Sequence, residues 1–130
     1  MIRGQSTAGI FSIAFKSENT GVIVGGIYDA PELNSNIASY TFDGGKTWMS
    51  SQSMPKEYRS CAQFVSNGTK DFFFAIGKTG CDFSMDNGIN WQFLNETGFY
   101  TFRPVPGELK GFAAGANGKI SKMNFEKLNK

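Results

Sequence analysis

An octapeptide that occurs twice constrains this chain more than any other feature of its sequence. Residues 41–48 read TFDGGKTW and residues 84–91 read SMDNGINW, an offset of 43 residues. Both copies place a hydroxyl residue, an Asp, a Gly and a Trp at the same spacing. Self-similarity at a fixed period of about 20 to 50 residues is typical of propellers, solenoids and other repeat architectures. The sequence therefore predicts a repeat protein.

The residue types of the octapeptide predict a capped tight turn between two strands. The Asp side chain accepts hydrogen bonds from backbone N–H groups of the turn, and Gly adopts the positive φ that other residues resist. The Trp starts the next strand and covers the turn with a large apolar face. The expected structural residues are Thr41, Asp43, Gly45 and Trp48 in the first copy and Ser84, Asp86, Gly88 and Trp91 in the second. Because each Asp lies inside its own turn, and neither loop has the alternating acidic ligands of a calcium site, we predict no catalytic or metal-binding role for them.

The segments around the octapeptides predict three units, which we call blades, with four strands in each of the first two and three strands in the third. In the first blade the predicted strands are 8–15, 22–28, 37–42 and 48–53. In the second they are 58–65, 72–77, 81–85 and 91–94, and in the third 98–105, 111–116 and 119–125, with an Asn117-Gly118 hairpin turn and no third octapeptide. Each unit is thus an antiparallel meander of about 43 residues, the usual size of a propeller blade.

The predicted fold is a single all-β domain, a partial β-propeller with about three blades at residues 8–53, 56–96 and 98–125. Propellers typically close with about 4 to 8 blades, so something else must complete the ring. We expect a second copy to do so. Residues 1–7 would then form a strand donated to the neighbouring copy's third blade, giving a six-bladed homodimer. The alternative is that the chain is a fragment of a larger propeller.

Composition excludes several functional classes. The 130 residues include no His, which rules out catalytic triads that need His and most zinc sites. A net charge of +2 without a basic run gives no reason to expect nucleic acid. Two cysteines are too few for a disulfide scaffold. No apolar run is long enough for a signal peptide or a membrane span, so we predict no membrane insertion; an exported parent would place the chain in the periplasm or outside the cell.

Two resemblances follow from these residues. The octapeptides resemble the Asp box of bacterial neuraminidase repeats, S/T-x-D-x-G-x-x-W. In addition, AGIFSIAF at 8–15, VGG followed by Tyr28 and Pro31, YRS at 58–60 and GANGKIS at 115–121 resemble the C-terminal blades of propellers related to the photosystem II stability and assembly factor. That resemblance implies rings of about seven blades, in proteins roughly twice this length or more, whose N-terminus supplies the last blade's missing outer strand.

Candidate ligand-binding residues come from the inner strands, because these line the channel of a propeller. Aligning the blades sets Phe11, Arg59 and Tyr100 at one position and Ser12, Ser60 and Thr101 at the next. Arg59 either binds a carboxylate or a peptide backbone of a ligand, or has a structural role with hydrogen bonds to carbonyl groups. Tyr28 and Asp29 lie on the longest loop and are the other candidates.

We interpret the chain as a non-catalytic scaffold for binding or assembly that engages a protein partner and needs no cofactor. One alternative is a sialidase-like hydrolase or glycan-binding propeller, which would require Arg3, Arg59 and Arg103 to converge beside a Tyr. Glu57 and Tyr58 cannot form its catalytic pair, because adjacent strand residues point to opposite faces. Another alternative is a purely structural subunit of a larger particle.

Overall fold

The computed structural model describes residues 1–128 as three antiparallel sheets, one for each predicted blade. Blade 1 contains β1 (Ala8–Phe15), β2 (Gly21–Ile27), β3 (Ala38–Thr41) and β4 (Met49–Ser50). Blade 2 contains β5 (Cys61–Ser66), β6 (Asp71–Gly77), β7 (Gly80–Ser84) and β8 (Gln92–Asn95). Blade 3 contains β9 (Thr101–Pro104), β10 (Lys110–Ala114) and β11 (Ile120–Asn124). The prediction of an all-β chain of antiparallel meanders is confirmed.

The first strand of each blade is the innermost. Strand β1 contacts β5, and β5 contacts β9, whereas the remaining strands of each sheet follow outward in chain order. The three sheets are therefore arranged side by side around a common inner edge. This arrangement brings the residues just before β5 and β9 close to the end of β2, where the candidate site lies.

Strand β6 contributes to two hydrophobic cores, one between blades 1 and 2 and one between blades 2 and 3, because its two faces pack against different blades. Phe73 and Ala75 face blade 1, where they join a cluster that includes Val22 and Val24. Phe72, Phe74 and Ile76 face blade 3, where the partners include Phe102 and Phe125. Side chains alternate between faces along a strand, so a continuous apolar run is what a strand buried on both sides requires. The run FFFAI at 72–76 thus marks the central blade.

The turn between β10 and β11 matches its prediction from sequence. Asn117 and Gly118 both have positive φ, 60° and 70°, as a tight hairpin turn of the twisted type requires. Ala116–Gly118 forms a single 3-10 turn. Within residues 1–128 the structure has no helix long and apolar enough to span a membrane.

The outer faces of blades 1 and 3 are uncovered. On blade 1, Ile10 and Ile13 are 55% and 58% exposed and line a cavity of about 580 Å³ together with Met1 and Trp48. On blade 3, Phe112 and Ile120 are 50% and 73% exposed. Residues 1–7 form no strand within this chain, and the Ile2 N–H donates to the carbonyl of Asn36. Pairing of this segment with a neighbouring copy stays a prediction.

Candidate functional site

The first octapeptide folds into a turn that its own side chains hold together. The Thr41 hydroxyl accepts the Gly45 N–H at 3.0 Å and donates to the Asp43 carboxylate at 2.8 Å. Asp43 in turn accepts the N–H and the hydroxyl of Thr47 at 2.9 and 2.6 Å. These bonds from Thr47 and Thr41 lower the pKa of Asp43 to about 2. The carboxylate is therefore engaged within the turn.

The second octapeptide repeats the same hydrogen bonds. The Ser84 hydroxyl accepts the Gly88 N–H at 2.8 Å and donates to Asp86 at 2.9 Å. Asp86 accepts the N–H and the side-chain amide of Asn90 at 2.8 and 3.0 Å. Burial raises the pKa of Asp86, but the bonds from Asn90 and Ser84 outweigh burial and the pKa is lowered. Gly45 and Gly88 share a φ of about 90°, so the backbones agree as well.

The two turns differ in their surroundings. The second turn is wedged between blades: the Ser51 hydroxyl of blade 1 donates to the Gly88 carbonyl at 2.6 Å, and Trp91 is only 4% exposed. The first turn lies on the uncovered side of blade 1, where Phe42 is 52% exposed. The second turn thus joins two blades, and the first is in the equivalent position on an open face.

Arg59 lies inside blade 2 and not on the surface. Its side chain is 1% exposed, and Nε lies 2.5 Å from Oδ1 of Asp82, whose side chain is equally buried. Nη1 donates to the Tyr58 carbonyl at 2.9 Å and to the Thr79 hydroxyl at 3.2 Å. Burial raises the pKa of Asp82, and the charge of Arg59 opposes that effect. The structure thus gives Arg59 a set of internal partners.

The alignment of blades from sequence is wrong by one residue in blade 2. The Arg59 N–H donates to Gly25 O, and the Phe99 N–H donates to Gly77 O, which is the corresponding carbonyl of the next blade. Arg59 therefore corresponds to Phe99, and Ser60 corresponds to Tyr100. Because side chains alternate along an extended chain, a slip of one residue moves a side chain to the opposite face. Arg59 consequently points inward, while Tyr58 and Ser60 flank it on the other side.

Residues from all three blades line one small pocket beside the ends of the inner strands. The cavity has a volume of about 260 Å³, and we call it the tyrosine pocket; it is lined by Tyr28, Tyr58, Ser60, Lys78 and Tyr100. The Ser60 hydroxyl donates to the Tyr100 carbonyl at 2.7 Å, which ties blade 2 to blade 3. Tyr28 and Tyr100 are about half exposed, whereas Tyr58 is buried at 7%. Burial raises the pKa of Tyr58.

A bulge in β1 adds a fourth aromatic ring beside the pocket. The strand pairing shifts between Ile10 and Ser12, which leaves Phe11 outside the regular ladder. The Phe11 ring meets the Tyr58 ring edge to face, with centroids 5.2 Å apart, and the Tyr28 ring with centroids 6.3 Å apart. Phe11 therefore supports two of the pocket's tyrosines.

Lys78 brings the only cationic side chain that lines the pocket among residues 1–128. It follows β6, and its Nζ donates to the carbonyl of Tyr28 at 2.5 Å. The same Nζ lies 5.8 Å from the Tyr28 ring centroid and 6.0 Å from that of Tyr58, within the range of cation–π attraction. Ring faces and a carbonyl group thus hold the ammonium group at the pocket.

The structure brings together some of the residues predicted from sequence. Tyr28, Ser60 and Tyr100 line the tyrosine pocket, and Phe11 packs beside it. Asp29 is exposed next to Tyr28 but does not line the pocket. Sequence reasoning missed Tyr58 and Lys78 as pocket residues. Tyr58 could not have been found without the register that buries Arg59, and the position of Lys78 depends on the packing of the loop after β6.

The described residues offer no second cluster for chemistry. Arg3 and Arg103 are exposed and do not line the tyrosine pocket, and Arg59 is occupied by Asp82. Residues 1–128 contain no group of three potential metal ligands among His, Cys, Asp and Glu. Cys61 and Cys81 are free thiols and buried, and burial raises the pKa of Cys81 to about 11.

Comparison with solved structures identifies the architecture. The chain superimposes on a structure described as YCF48 bound to D1 peptide with a TM-score of 0.65, 18% sequence identity and 93% of this chain covered. The chain is built from β-propeller blades. It spans 38% of that neighbour's length, so the likeness covers part of the larger protein. No known family profile matches the sequence, and no curated protein is similar to it.

Proposed function

We propose that this propeller domain is a non-catalytic scaffold that binds a peptide segment of a protein partner at the tyrosine pocket. The observation that carries the proposal is the meeting of three blades at one pocket lined by tyrosines. The neighbour of similar fold is described in complex with a peptide, which supports the same class of ligand here. The resemblance noted from sequence suggests that the partner belongs to an assembling complex.

The chemistry of the pocket suits a peptide. Tyrosine supplies a large contact area with little conformational freedom to lose, and it is enriched among the residues that dominate binding energy. Tyr28 and Tyr100 expose about half of their surface, so they are open to a ligand before it arrives. Tyr58 packs closely against the backbone of Gly26, where an added Cβ would lie 3.1 Å from the Tyr58 Cα. The pocket thus combines accessible rings with a rigid base.

We prefer this function to a sialidase-like hydrolase or a glycan-binding propeller. Hydrolysis of that kind would use several arginines around one carboxylate, with a Tyr and an acidic partner. Arg59 is instead enclosed with Asp82 inside blade 2, and within the described residues 1–128 neither an arginine nor a carboxylate lines the tyrosine pocket. In keeping with the neuraminidase-repeat resemblance, we propose that the two octapeptides are Asp boxes that stabilise the fold.

Selection from a library of random peptides tests the binding function. The wild-type chain should enrich peptides that a Tyr28→Ala, Tyr100→Ala double variant fails to retain. Phe42→Ala is the matched control, because Phe42 is 52% exposed but lies on the first octapeptide, outside the pocket. Retention of the same peptides by wild type, control and double variant, or enrichment of none, would show that the pocket is not the binding site.

We also propose that a second copy covers the open faces of blades 1 and 3, with residues 1–7 exchanged between copies. The exposed Ile10 and Ile13 on one face and Phe112 and Ile120 on the other support this proposal, because such side chains are stabilised by removal from water. Arg103 and Lys122 flank Phe112 across the strands of blade 3, and their aliphatic stems would pack against the isoleucines.

Mass in solution tests the pairing. Light scattering should give twice the chain mass of 14.2 kDa, and Ile13→Asp or Phe112→Asp should each return the protein to monomer. Phe93→Asp, at an exposed position on the outermost strand of blade 2, lies away from both open faces and should leave the dimer intact. A stable monomer of the wild-type chain would contradict this proposal and leave the binding function to its own test.

A further inference from the structure

We propose that the tyrosine pocket selects an anionic residue of the peptide, a carboxylate at its chain end or on an acidic side chain. The proposal rests on the binding function above and adds its ligand class. The proposal starts from Lys78, because its ammonium group lies at the pocket and forms no ion pair with any acidic residue that the structure describes. Among residues 1–128 the ion pairs join Arg59 with Asp82 and Lys110 with Glu108, and Lys78 belongs to neither.

The remaining lining groups favour an anion as well. Tyr28, Tyr58 and Tyr100 carry hydroxyl groups that can donate to a carboxylate oxygen, whereas the Ser60 hydroxyl already donates to the Tyr100 carbonyl. Among residues 1–128 no acidic side chain lines the pocket. A hydrogen bond to a charged acceptor is stronger than one between neutral groups, and partial burial strengthens it further. A carboxylate in the pocket would thus meet one positive charge and several neutral donors.

A cationic ligand is the competing possibility, because tyrosine rings can form a cage around an ammonium group. In this pocket Lys78 already stands over two of the rings, with Nζ 5.8 Å and 6.0 Å from their centroids. A second cation would be brought close to the first and repelled by it. The Lys78 ammonium group therefore makes this ring of aromatic side chains better suited to an anion than to a cation.

The size of the cavity limits the ligand to a single residue. Pockets for whole drug-sized molecules have volumes of about 300 to 1,000 Å³, and this one measures about 260 Å³. One acidic side chain or one terminal residue fits that space, and the rest of the peptide would lie on the exposed rings of Tyr28 and Tyr100. The pocket thus acts as an anchor for one position of the peptide.

Four N-acetylated model peptides test the ligand class by NMR titration of the full chain. The probes are acetyl-Ala-Ala-Ala-Phe with a free carboxylate, the same peptide as its amide, acetyl-Ala-Glu-Ala-Phe amide and acetyl-Ala-Lys-Ala-Phe amide. We expect saturable shifts of the Lys78 and Tyr100 amides with the first or third probe, and binding weaker by about tenfold or more with the neutral amide. The first and third probes distinguish a terminal from a side-chain carboxylate.

Matched variants tie the effect to Lys78. Lys78→Gln should weaken binding of the carboxylate probe by about tenfold. Lys56 is another exposed lysine over an aromatic ring but lies outside the pocket, so Lys56→Gln should leave that binding unchanged. Equal binding of the four probes, or preference for the lysine probe, would overturn the anion preference while leaving peptide binding in place. No shift with any probe at millimolar concentration would overturn the inference, and the library selection would then decide whether the pocket binds peptides at all.

Discussion

Arg59 and Asp82 form a buried ion pair that holds in place the segment carrying Tyr58, a residue of the tyrosine pocket. Asp82 Oδ2 accepts the Lys56 N–H at 2.9 Å while Oδ1 meets Arg59, and Arg59 also donates to the carbonyl of Tyr58. The segment from Lys56 to Arg59 is thereby bound to β7 at both of its ends. The pair therefore holds Tyr58 at the base of the pocket.

Removing one member of this pair should be costly. Asp82→Asn leaves a buried guanidinium group without its counter-charge, and we expect a loss of about 3–5 kcal/mol in the free energy of unfolding. A double variant, Arg59→Met with Asp82→Leu, should lose less, because no charge then remains uncompensated. Urea unfolding measures both. Glu108→Gln, which breaks the exposed pair with Lys110, is the control and should have no measurable effect. A single variant as stable as this control would contradict the assigned role.

The two octapeptide glycines should differ in their tolerance of alanine. Both have a φ of about 90°, so Gly45→Ala and Gly88→Ala share the same backbone strain. A Cβ at Gly88 would lie 2.4 Å from Cγ1 of the buried Val22, whereas at Gly45 the nearest atom is 3.5 Å away in the Trp48 ring. We expect Gly88→Ala to be less stable than Gly45→Ala by about 1–3 kcal/mol in urea unfolding. Equal losses in the free energy of unfolding would show that blade 1 shifts to accommodate the new methyl group without strain.

Acid should weaken the first octapeptide turn. The pKa of Asp43 is lowered from its ordinary value of 3.8 to about 2, so the folded state favours the ionised form. Its contribution to stability is present above pH 3.8 and is lost as the pH falls through about 2. The melting temperature should therefore fall more steeply across this pH range for the wild type than for Asp43→Asn, as thermal unfolding would measure. NMR titration of the Asp43 carboxyl with a midpoint near 3.8 would contradict the assigned hydrogen bonds.

The two cysteines should be inert in the folded protein. Both are buried, and burial raises the pKa of Cys81 to about 11, so little thiolate is present at neutral pH. We expect dithionitrobenzoate to react with neither thiol under native conditions and with both in urea. Ser60→Cys, placed in the pocket, serves as the reactive control. Rapid labelling of the native wild-type chain would show that the cores between the blades open readily.

The repeated octapeptide and the strand patterns around it were enough to predict the blades. Hydrogen bonds within each turn depend on residues no more than four apart, such as Asp43 with Thr47 and Asp86 with Asn90, so the sequence contains all that the turn needs. The continuous apolar run of β6 likewise predicts a strand that is buried, although not that it would lie between two other blades.

The amino-acid sequence by itself determined the unit of this protein, a capped meander repeated at an offset of 43 residues, because the interactions that form it are local. Only the tertiary structure decided the site. The register of blade 2 depends on the bond from the Arg59 N–H to Gly25 O in another blade, and one residue of slip separates a surface arginine from a buried one. Tyr28, Lys78 and Tyr100 meet for the same reason: contacts between blades, distant in sequence, set which side chains share a pocket.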